Sequence, residues 1–213
     1  MNIDFSDKYE PLFEVLEKNN LALKKVDTIL ISGGRDSGKT FALGCFSSIA
    51  SSQYNHRILY TRQTMSSTAN SIFKALENRM EVLKLDDLFT FANSEYNSIT
   101  GPGLISITGQ KTSTGTQTAK LKSLEDYSIF VTDEGEELTS YDEWNKIKRS
   151  IRAKDVQALS IISFNPPTKS HWLYKRFYNN VPEGFNGVID NILYIHTISL
   201  IIQLIKKHVI IPI

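Results

Sequence analysis

Apolar runs alternate with helical patterns along this chain. Runs of apolar residues predict four buried strands, at 28–31, 57–61, 128–132 and 158–164. Helical spacing, or in one case a run of small and apolar residues, predicts helices at 9–19, 39–52, 71–82, 141–153 and 171–178. Residues 88–108 are β-like around Gly101-Pro102-Gly103, which predicts a hairpin, and residues 188–197 are β-like again. This alternation predicts an α/β domain with a mainly parallel central sheet flanked by helices.

Composition narrows the class of protein. The chain has 213 residues, of which 41% are hydrophobic and 22% charged, enough for one domain with a buried core. Its 24 basic and 23 acidic residues leave a net charge of +1, so any contact with nucleic acid must come from local patches. The single cysteine, Cys45, excludes an intrachain disulfide. The longest apolar stretch, 192–205, is short and interrupted by polar residues, so we expect no membrane span and a cytoplasmic protein.

A glycine-rich loop follows the first predicted strand. It fits the pattern G-x-x-x-x-G-K-[ST] and consists of Gly33-Gly34-Arg35-Asp36-Ser37-Gly38-Lys39-Thr40. Glycines let backbone N–H groups turn inward toward phosphate oxygens, and the following helix places its positive end at the same point. Lys39 would reach the outer phosphates, and the Thr40 hydroxyl would bind Mg²⁺. A chance match is the alternative, but the strand before the loop and the helix after it favour nucleotide binding.

Two carboxylates end the third predicted strand. Asp133 and Glu134 follow the apolar run at 129–132. In nucleotide hydrolases with such a loop, an Asp at a strand end holds Mg²⁺, and a neighbouring Glu can activate the attacking water. We therefore expect Asp133 to bind the metal and Glu134 to be the general base. The alternative is that both begin a solvated acidic loop, as we expect for Glu136 and Glu137.

Polar groups also end the fourth strand. Ser163 and Asn165 lie where the apolar run meets Pro166-Pro167. The carboxyl ends of parallel strands share one edge of the sheet, so these groups would face the nucleotide and sense its terminal phosphate. The alternative for Asn165 is a simple Asn-Pro turn.

Together these segments resemble the ATPase domain of phage terminase large subunits, and within that family a PBSX-like branch. The resemblance covers roughly residues 25–196. The matching segments are residues 33–40, the strand end Leu59-Tyr60-Thr61-Arg62, residues 129–134, and Phe164-Asn165-Pro166-Pro167 followed by Trp172 and Phe177. The family has an additional-strand P-loop NTPase fold, so the resemblance implies that fold here.

The resemblance also implies a function and roles for particular residues. It implies Mg²⁺-dependent ATP hydrolysis that drives DNA packaging into procapsids, with double-stranded DNA, a small terminase subunit and a portal protein as partners. Subunits would form a ring when assembled and stay monomeric in isolation, in the host cytoplasm. Lys39 and Glu134 would be catalytic, Arg35 would act as an arginine finger in cis, and the coupling motif would fall on Ser163 to Asn165.

The sequence departs from the family in three ways. The family often has Gly where this chain has Asp36, and a carboxylate beside polyphosphate would repel it. Family members continue into a nuclease domain, whereas this chain stops at Ile213, so we expect no DNA cleavage. Residues 198–213 are apolar and basic, and we expect a truncated or non-native tail after an ATPase domain at 1–197.

Other interpretations stay open. A P-loop kinase of small molecules is one, although an activating Glu beside the metal ligand favours hydrolysis over transfer. A nucleotide-binding fragment without turnover is another. The basic segment 144–154 is either a solvated helix face or a contact for DNA or a neighbouring subunit, and the candidate trans-acting arginines are Arg62, Arg79, Arg149 and Arg152. Tyr9, Pro11 and Phe13 would cover adenine or, more simply, pack in the core or at the surface.

Overall fold

The computed structural model describes residues 7–17, 26–63, 69–110, 124–154 and 156–198. The helices in this part of the chain are α1 (Glu10–Glu17), α2 (Lys39–Tyr54), α3 (Ala69–Leu83) and α4 (Tyr141–Ser150). The strands are β1 (Thr28–Gly33), β2 (Arg57–Arg62), β3 (Phe89–Ala92), β4 (Glu95–Ser98), β5 (Leu104–Gly109), β6 (Ile129–Thr132), β7 (Leu159–Phe164), β8 (Gly187–Ile189) and β9 (Ile192–Thr197). A 3₁₀ turn, Asp7–Tyr9, precedes α1, and a π-helical turn, Tyr174–Tyr178, follows β7.

The strands of the described residues form one sheet. Their order is β3-β4-β5-β2-β6-β7-β1-β9-β8, and the central six, from β5 to β9, are parallel. The antiparallel pair β3–β4 extends one edge, and the antiparallel strand β8 extends the other. β7 is the additional strand, because it lies between β1, which leads into the glycine-rich loop, and β6, which leads to Asp133. The predicted fold class is confirmed.

Helices cover both faces of the sheet because successive strand residues point to opposite sides. In β1, Ile29 and Ile31 pack with α1, α2 and α3, whereas Leu30 packs with α4 and the π-helical turn. The helix α2 is buried along most of its length and carries small residues that allow close approach to the sheet. Two of its serines, Ser48 and Ser52, satisfy their hydroxyls by donating to carbonyls one turn earlier.

The predicted elements differ from the observed ones mainly at turns. The hairpin around Gly101-Pro102-Gly103 joins β4 to β5 as predicted, but a second hairpin joins β3 to β4 through Asn93 and Ser94. Both turn residues have left-handed backbones, with φ of 53° and 66°, as a type I′ turn requires. Asn-Ser is a weaker turn signal than Asn-Gly, and the sequence pattern did not reveal it. The predicted helix 141–153 ends at Ser150.

The sequence predicted a tail at the end of the chain and no membrane-spanning segment. The tail expected at 198–213 lies outside the described residues except for Ile198, which is exposed. In the part of the chain that the structure describes, none of the helices has the length and apolar character needed to cross a bilayer.

Candidate active site

A cleft of about 490 Å³ opens at the carboxyl ends of β1, β6 and β7. It brings together ten of the residues predicted from sequence: Arg35, Asp36, Ser37, Gly38, Lys39, Thr40, Asp133, Glu134, Ser163 and Asn165. Gly33 and Gly34 lie at the start of the same loop but do not line the cleft. The segments converge because they follow parallel strands, whose carboxyl ends share one edge of the sheet.

The glycine-rich loop connects β1 to α2, and Lys39 is the first residue of that helix. Gly38 has a left-handed backbone, with φ of 83°, immediately before the helix. At Gly33 a Cβ would lie 2.8 Å from Ser37 Oγ and even closer to Thr197, so no larger residue fits there. The loop therefore needs glycine at these two positions, for conformation at one and for space at the other.

Asp36 also has a left-handed backbone, with φ of 59°, and its side chain is exposed. This conformation favours glycine and is tolerated by Asp and Asn better than by most residues. It is a physical reason why glycine would suit this position. The cleft accordingly contains an acidic side chain on the loop that is expected to hold phosphates.

The Lys39 ammonium group is folded over the loop. It donates to the Gly33 carbonyl at 2.6 Å and the Gly34 carbonyl at 2.8 Å. It also lies 3.2 Å from both Ser37 Oγ and Asn165 Oδ1. Burial lowers the pKa of Lys39, although the nearby carboxylates of Glu136 and Asp133 act in the opposite direction. The ammonium group thus joins the loop to the end of β7.

Asp133 and Glu134 share one cation. The Arg62 guanidinium lies 2.7 Å from Asp133 Oδ2 and 3.3 Å from Glu134 Oε1. Asp133 is only 2% exposed, and Arg62 comes from the end of the neighbouring strand β2. Burial raises the pKa of Glu134, with Arg62 opposing that rise. The sequence had suggested Arg62 only as a trans-acting arginine, whereas the structure pairs it with carboxylates of its own chain.

Backbone geometry is unusual at Glu134. Its φ is 56°, a left-handed conformation that costs energy for a residue other than glycine. The next residue, Gly135, packs against Ile162 of β7 so closely that a Cβ would collide with it. The close contact between this turn and β7 leaves room only for glycine at 135, and Glu134 lies directly before it at the wall of the cleft.

Glu136 is not the surface charge that the sequence suggested. It lines the cleft, where Asn165 Nδ2 donates a hydrogen bond to its Oε1 atom. Its Oε2 atom is buried and has no hydrogen-bond partner among the described residues. The Ser163 hydroxyl is also buried and also has no hydrogen-bond partner among the described residues. The prediction for Glu136 was wrong because the 3₁₀ turn Gly135–Glu137 folds this residue back toward the end of β7. Glu137 is exposed, as expected, although it also lines the cleft.

The remaining arginine candidates lie in different surroundings. Arg79 packs over the Phe41 ring at 4.5 Å, beside α2. Arg149 and Arg152 are exposed near the end of α4. Lys148 pairs with Asp27 at 2.8 Å, so the basic segment 144–154 is not a uniformly solvated helix face.

Tyr9 and Phe13 pack in the core, as the simpler interpretation held. Tyr9 is 1% exposed, and its hydroxyl donates to the Ser37 carbonyl inside the glycine-rich loop at 2.9 Å. Sequence reasoning missed this contact.

Phage large terminases and a phage DNA packaging ATPase of known structure share this fold. The large terminase of a thermophilic bacteriophage superposes with a TM-score of 0.68 at 14% identity, over 91% of this chain and 45% of that protein. The HK97 bacteriophage large terminase gives a TM-score of 0.64 at 11% identity, over 90% of this chain and 39% of that protein. The N-terminal domain of the DNA packaging ATPase from bacteriophage phi29 gives a TM-score of 0.64 at 14% identity, over 94% of this chain and 99% of that domain.

The chain thus spans less than half the length of the first two of these terminases. No curated protein matches it at a significant level. A family model described as phage terminase large subunit matches residues 25–201, well over half of the chain. The matched residues include the glycine-rich loop, Asp133, Glu134 and Asn165. The chain therefore belongs to the phage terminase large subunit family.

Proposed function

We propose that this chain is the ATPase domain of a DNA-packaging motor, which hydrolyses ATP to drive DNA into procapsids. One observation carries the proposal: the glycine-rich loop, the Asp133–Glu134 pair and Asn165 converge on a single cleft in a chain of the terminase family. A cleft of about 490 Å³ has room for a nucleotide. The DNA packaging ATPase of phi29, which shares the fold, is named for the same activity.

Each residue has a role that its position supports. Backbone N–H groups of residues 33–40 hold the phosphates, and Lys39 exchanges its loop carbonyls for phosphate oxygens. Glu134 accepts a proton from the attacking water, and its raised pKa makes the carboxylate a stronger base. Arg35 lines the cleft and stabilises charge that develops on the phosphate. Ser163 and Asn165 sense the terminal phosphate.

The residues present fit a magnesium ion. Thr40 and Asp133 line the same cleft and offer hydroxyl and carboxylate oxygens, the donors that Mg²⁺ prefers. In the described residues no three His, Cys, Asp or Glu side chains converge as a metal cage. Two protein ligands are enough when nucleotide phosphates and water complete the shell. Bound Mg²⁺ would neutralise charge on the phosphates.

The motor has partners that we infer from the family. Double-stranded DNA, a small terminase subunit and a portal protein are the proposed partners, and the assembled form is a ring in the host cytoplasm. An isolated subunit lacks any arginine that a neighbour supplies, and such a residue is worth about 10³–10⁵ in rate. We therefore expect weak hydrolysis by the chain alone. The PBSX-like branch stays a prediction.

The first test removes the lysine of the loop. Lys39→Ala should abolish binding of Mg·ATP in calorimetry and steady-state phosphate release, because the charge that meets the outer phosphates is lost. Lys146→Ala is the matched control, since Lys146 is exposed on α4 outside the cleft, and it should behave as the unaltered chain does. Unchanged affinity in Lys39→Ala would refute the assignment of the cleft.

A second assay separates the motor from its alternatives. Phosphate release should rise when DNA and small terminase subunit are added, which neither a kinase nor an inactive fragment would show. Plasmid DNA incubated with Mg²⁺ or Mn²⁺ should stay intact. Metal-dependent nicking that persists in Lys39→Ala would reveal a nuclease site in this chain.

A further inference from the structure

Two hydroxyl groups hold the glycine-rich loop from beneath. Tyr9 lies in the 3₁₀ turn before α1, and its hydroxyl donates to the Ser37 carbonyl at 2.9 Å. Thr197 is the last residue of β9, and its hydroxyl donates to the Ser32 carbonyl at 3.3 Å. The two hydroxyl oxygens are 3.4 Å apart. Residues remote in sequence thus meet under both ends of the loop.

The contact at Ser37 determines the direction of a neighbouring N–H group. A trans peptide is planar, so the Ser37 carbonyl and the Gly38 N–H belong to one rigid unit and point in opposite directions. The Tyr9 hydroxyl holds that carbonyl on the protein side. The Gly38 N–H is therefore turned away from Tyr9, and Gly38 itself lines the cleft. Its left-handed backbone, with φ of 83°, leads directly into α2.

The contact at Ser32 acts at the start of the loop. Thr197 pairs with Gly33 in the parallel register of β9 and β1. Its side chain approaches Gly33 so closely that a Cβ there would collide with the Thr197 hydroxyl and carbonyl. Thr197 therefore fixes the backbone at the start of the loop. Tyr9 fixes the backbone at the end of the loop, where the chain turns into α2.

The tyrosine is suited to a permanent contact. It is 1% exposed, so water cannot replace its hydroxyl at the Ser37 carbonyl. Burial also raises the pKa of Tyr9 to about 12, so the hydroxyl keeps its proton under ordinary conditions. Without this donor the peptide between Ser37 and Gly38 loses the contact that sets its orientation.

We propose that Tyr9 and Thr197 are positioning residues that hold the glycine-rich loop with the Gly38 N–H facing the nucleotide phosphates. This inference rests on the proposed nucleotide-binding function of the cleft. Neither residue lines the cleft. They act through the backbone of the loop, one from a segment before the first strand and the other from the end of the last.

The test compares two tyrosines that each lose a buried hydroxyl. Tyr9→Phe should weaken Mg·ADP and Mg·ATP binding about threefold to tenfold, the worth of one hydrogen bond. KM should rise by the same factor with kcat little changed, because binding in the ground and transition states is affected alike. Tyr96→Phe is the control, since Tyr96 is also buried and its hydroxyl lies within hydrogen-bond distance of the Phe73 carbonyl and the Glu77 carboxylate, and none of these residues lines the cleft. It should leave nucleotide affinity unchanged.

Thr197 provides an independent variant. Thr197→Val should weaken nucleotide binding, and Thr197→Ser should restore most of the affinity because it returns the hydroxyl. The inference is overturned if Tyr9→Phe and Thr197→Val bind Mg·ADP as the unaltered chain does, or if Tyr96→Phe weakens binding equally. Absence of nucleotide binding by the unaltered chain would instead overturn the proposed function itself.

Discussion

The guanidinium group of Arg62 lies 2.7 Å from Asp133, the carboxylate expected to bind magnesium. Both side chains are buried, and the same guanidinium also reaches Glu134 at 3.3 Å. The positive charge of Arg62 therefore balances both carboxylates at the end of β6, and it comes from the same chain. A buried carboxylate that lost this partner would carry an uncompensated charge.

Arg62→Ala should destabilise the protein by about 3–5 kcal/mol, the usual loss when one partner of a buried pair is removed. Chemical denaturation at neutral pH measures this loss. Arg149→Ala, on an exposed arginine, should change stability little. Adding Asp133→Asn to Arg62→Ala should recover part of the stability, because the unpaired charge is gone. No recovery would show that packing, and not charge, accounts for the loss.

Glu134→Gln should slow ATP hydrolysis about 10²–10⁴-fold while Mg·ATP still binds, because a general base is lost but its shape is kept. The raised pKa of Glu134 predicts that turnover by the unaltered chain falls, on acidification, at a higher pH than for an ordinary glutamate. That decline should be absent in Glu134→Gln. Stopped-flow phosphate release across a pH series measures both effects. Unimpaired turnover would make Glu136 the next candidate base.

The same pKa shift predicts an effect on stability. A group whose pKa is raised by folding stabilises the folded state below its ordinary pKa, and that contribution is lost as pH rises through the raised value. Once ionised, Glu134 therefore opposes folding, so above its raised pKa Glu134→Gln should be at least as stable as the unaltered chain. Glu81→Gln, on an exposed position of α3, should show no such gain. Thermal unfolding at pH 7 compares them, and a large loss in Glu134→Gln would contradict the expectation.

Asn165→Ala should reduce the stimulation of hydrolysis by DNA and leave ATP binding nearly unchanged. Lys39 keeps three other acceptors, whereas Glu136 loses its donor, so the link between β7 and the turn after β6 is broken. Coupling between sites typically amounts to about 5–150-fold, which sets the expected loss. Asn186→Ala removes another hydrogen-bonded asparagine away from the cleft and should leave stimulation intact. Full stimulation in Asn165→Ala would exclude a coupling role.

Asp36→Gly should increase affinity for Mg·ATP about fivefold, because a carboxylate leaves the phosphate loop and glycine accepts its left-handed backbone. Asp36→Asn separates the two causes, since it removes the charge while keeping a residue that tolerates φ of 59°. Asp190→Gly is a matched control, with φ of 54° in the turn between β8 and β9. Calorimetry measures affinity, and weaker binding by Asp36→Gly would mean that the carboxylate helps to hold the nucleotide.

Local features were predictable from the order of the residues. The glycine-rich loop, the Asp133–Glu134 strand end and Asn165 each follow an apolar run, and the rule that parallel strands end at one edge brings them together. Strands β1, β2, β6 and β7 and the helices that cover them were recognised from apolar runs and helical spacing. Both signals depend only on residues that are close together in the sequence. The Asn93–Ser94 hairpin was missed, since only its left-handed backbone reveals it.

The sequence by itself therefore determined the fold class, the family and most residues of the cleft. Only the tertiary structure decided which side chains hold these residues: Arg62 on Asp133, Asn165 on Glu136, and Tyr9 on Ser37. Each pair joins residues that are far apart in the chain, and a periodic pattern in the sequence does not predict contacts between such residues. These contacts exist because strand order and the turns after the strands bring polar groups together at buried or half-buried positions. There, a buried donor or charge needs a partner from the protein itself.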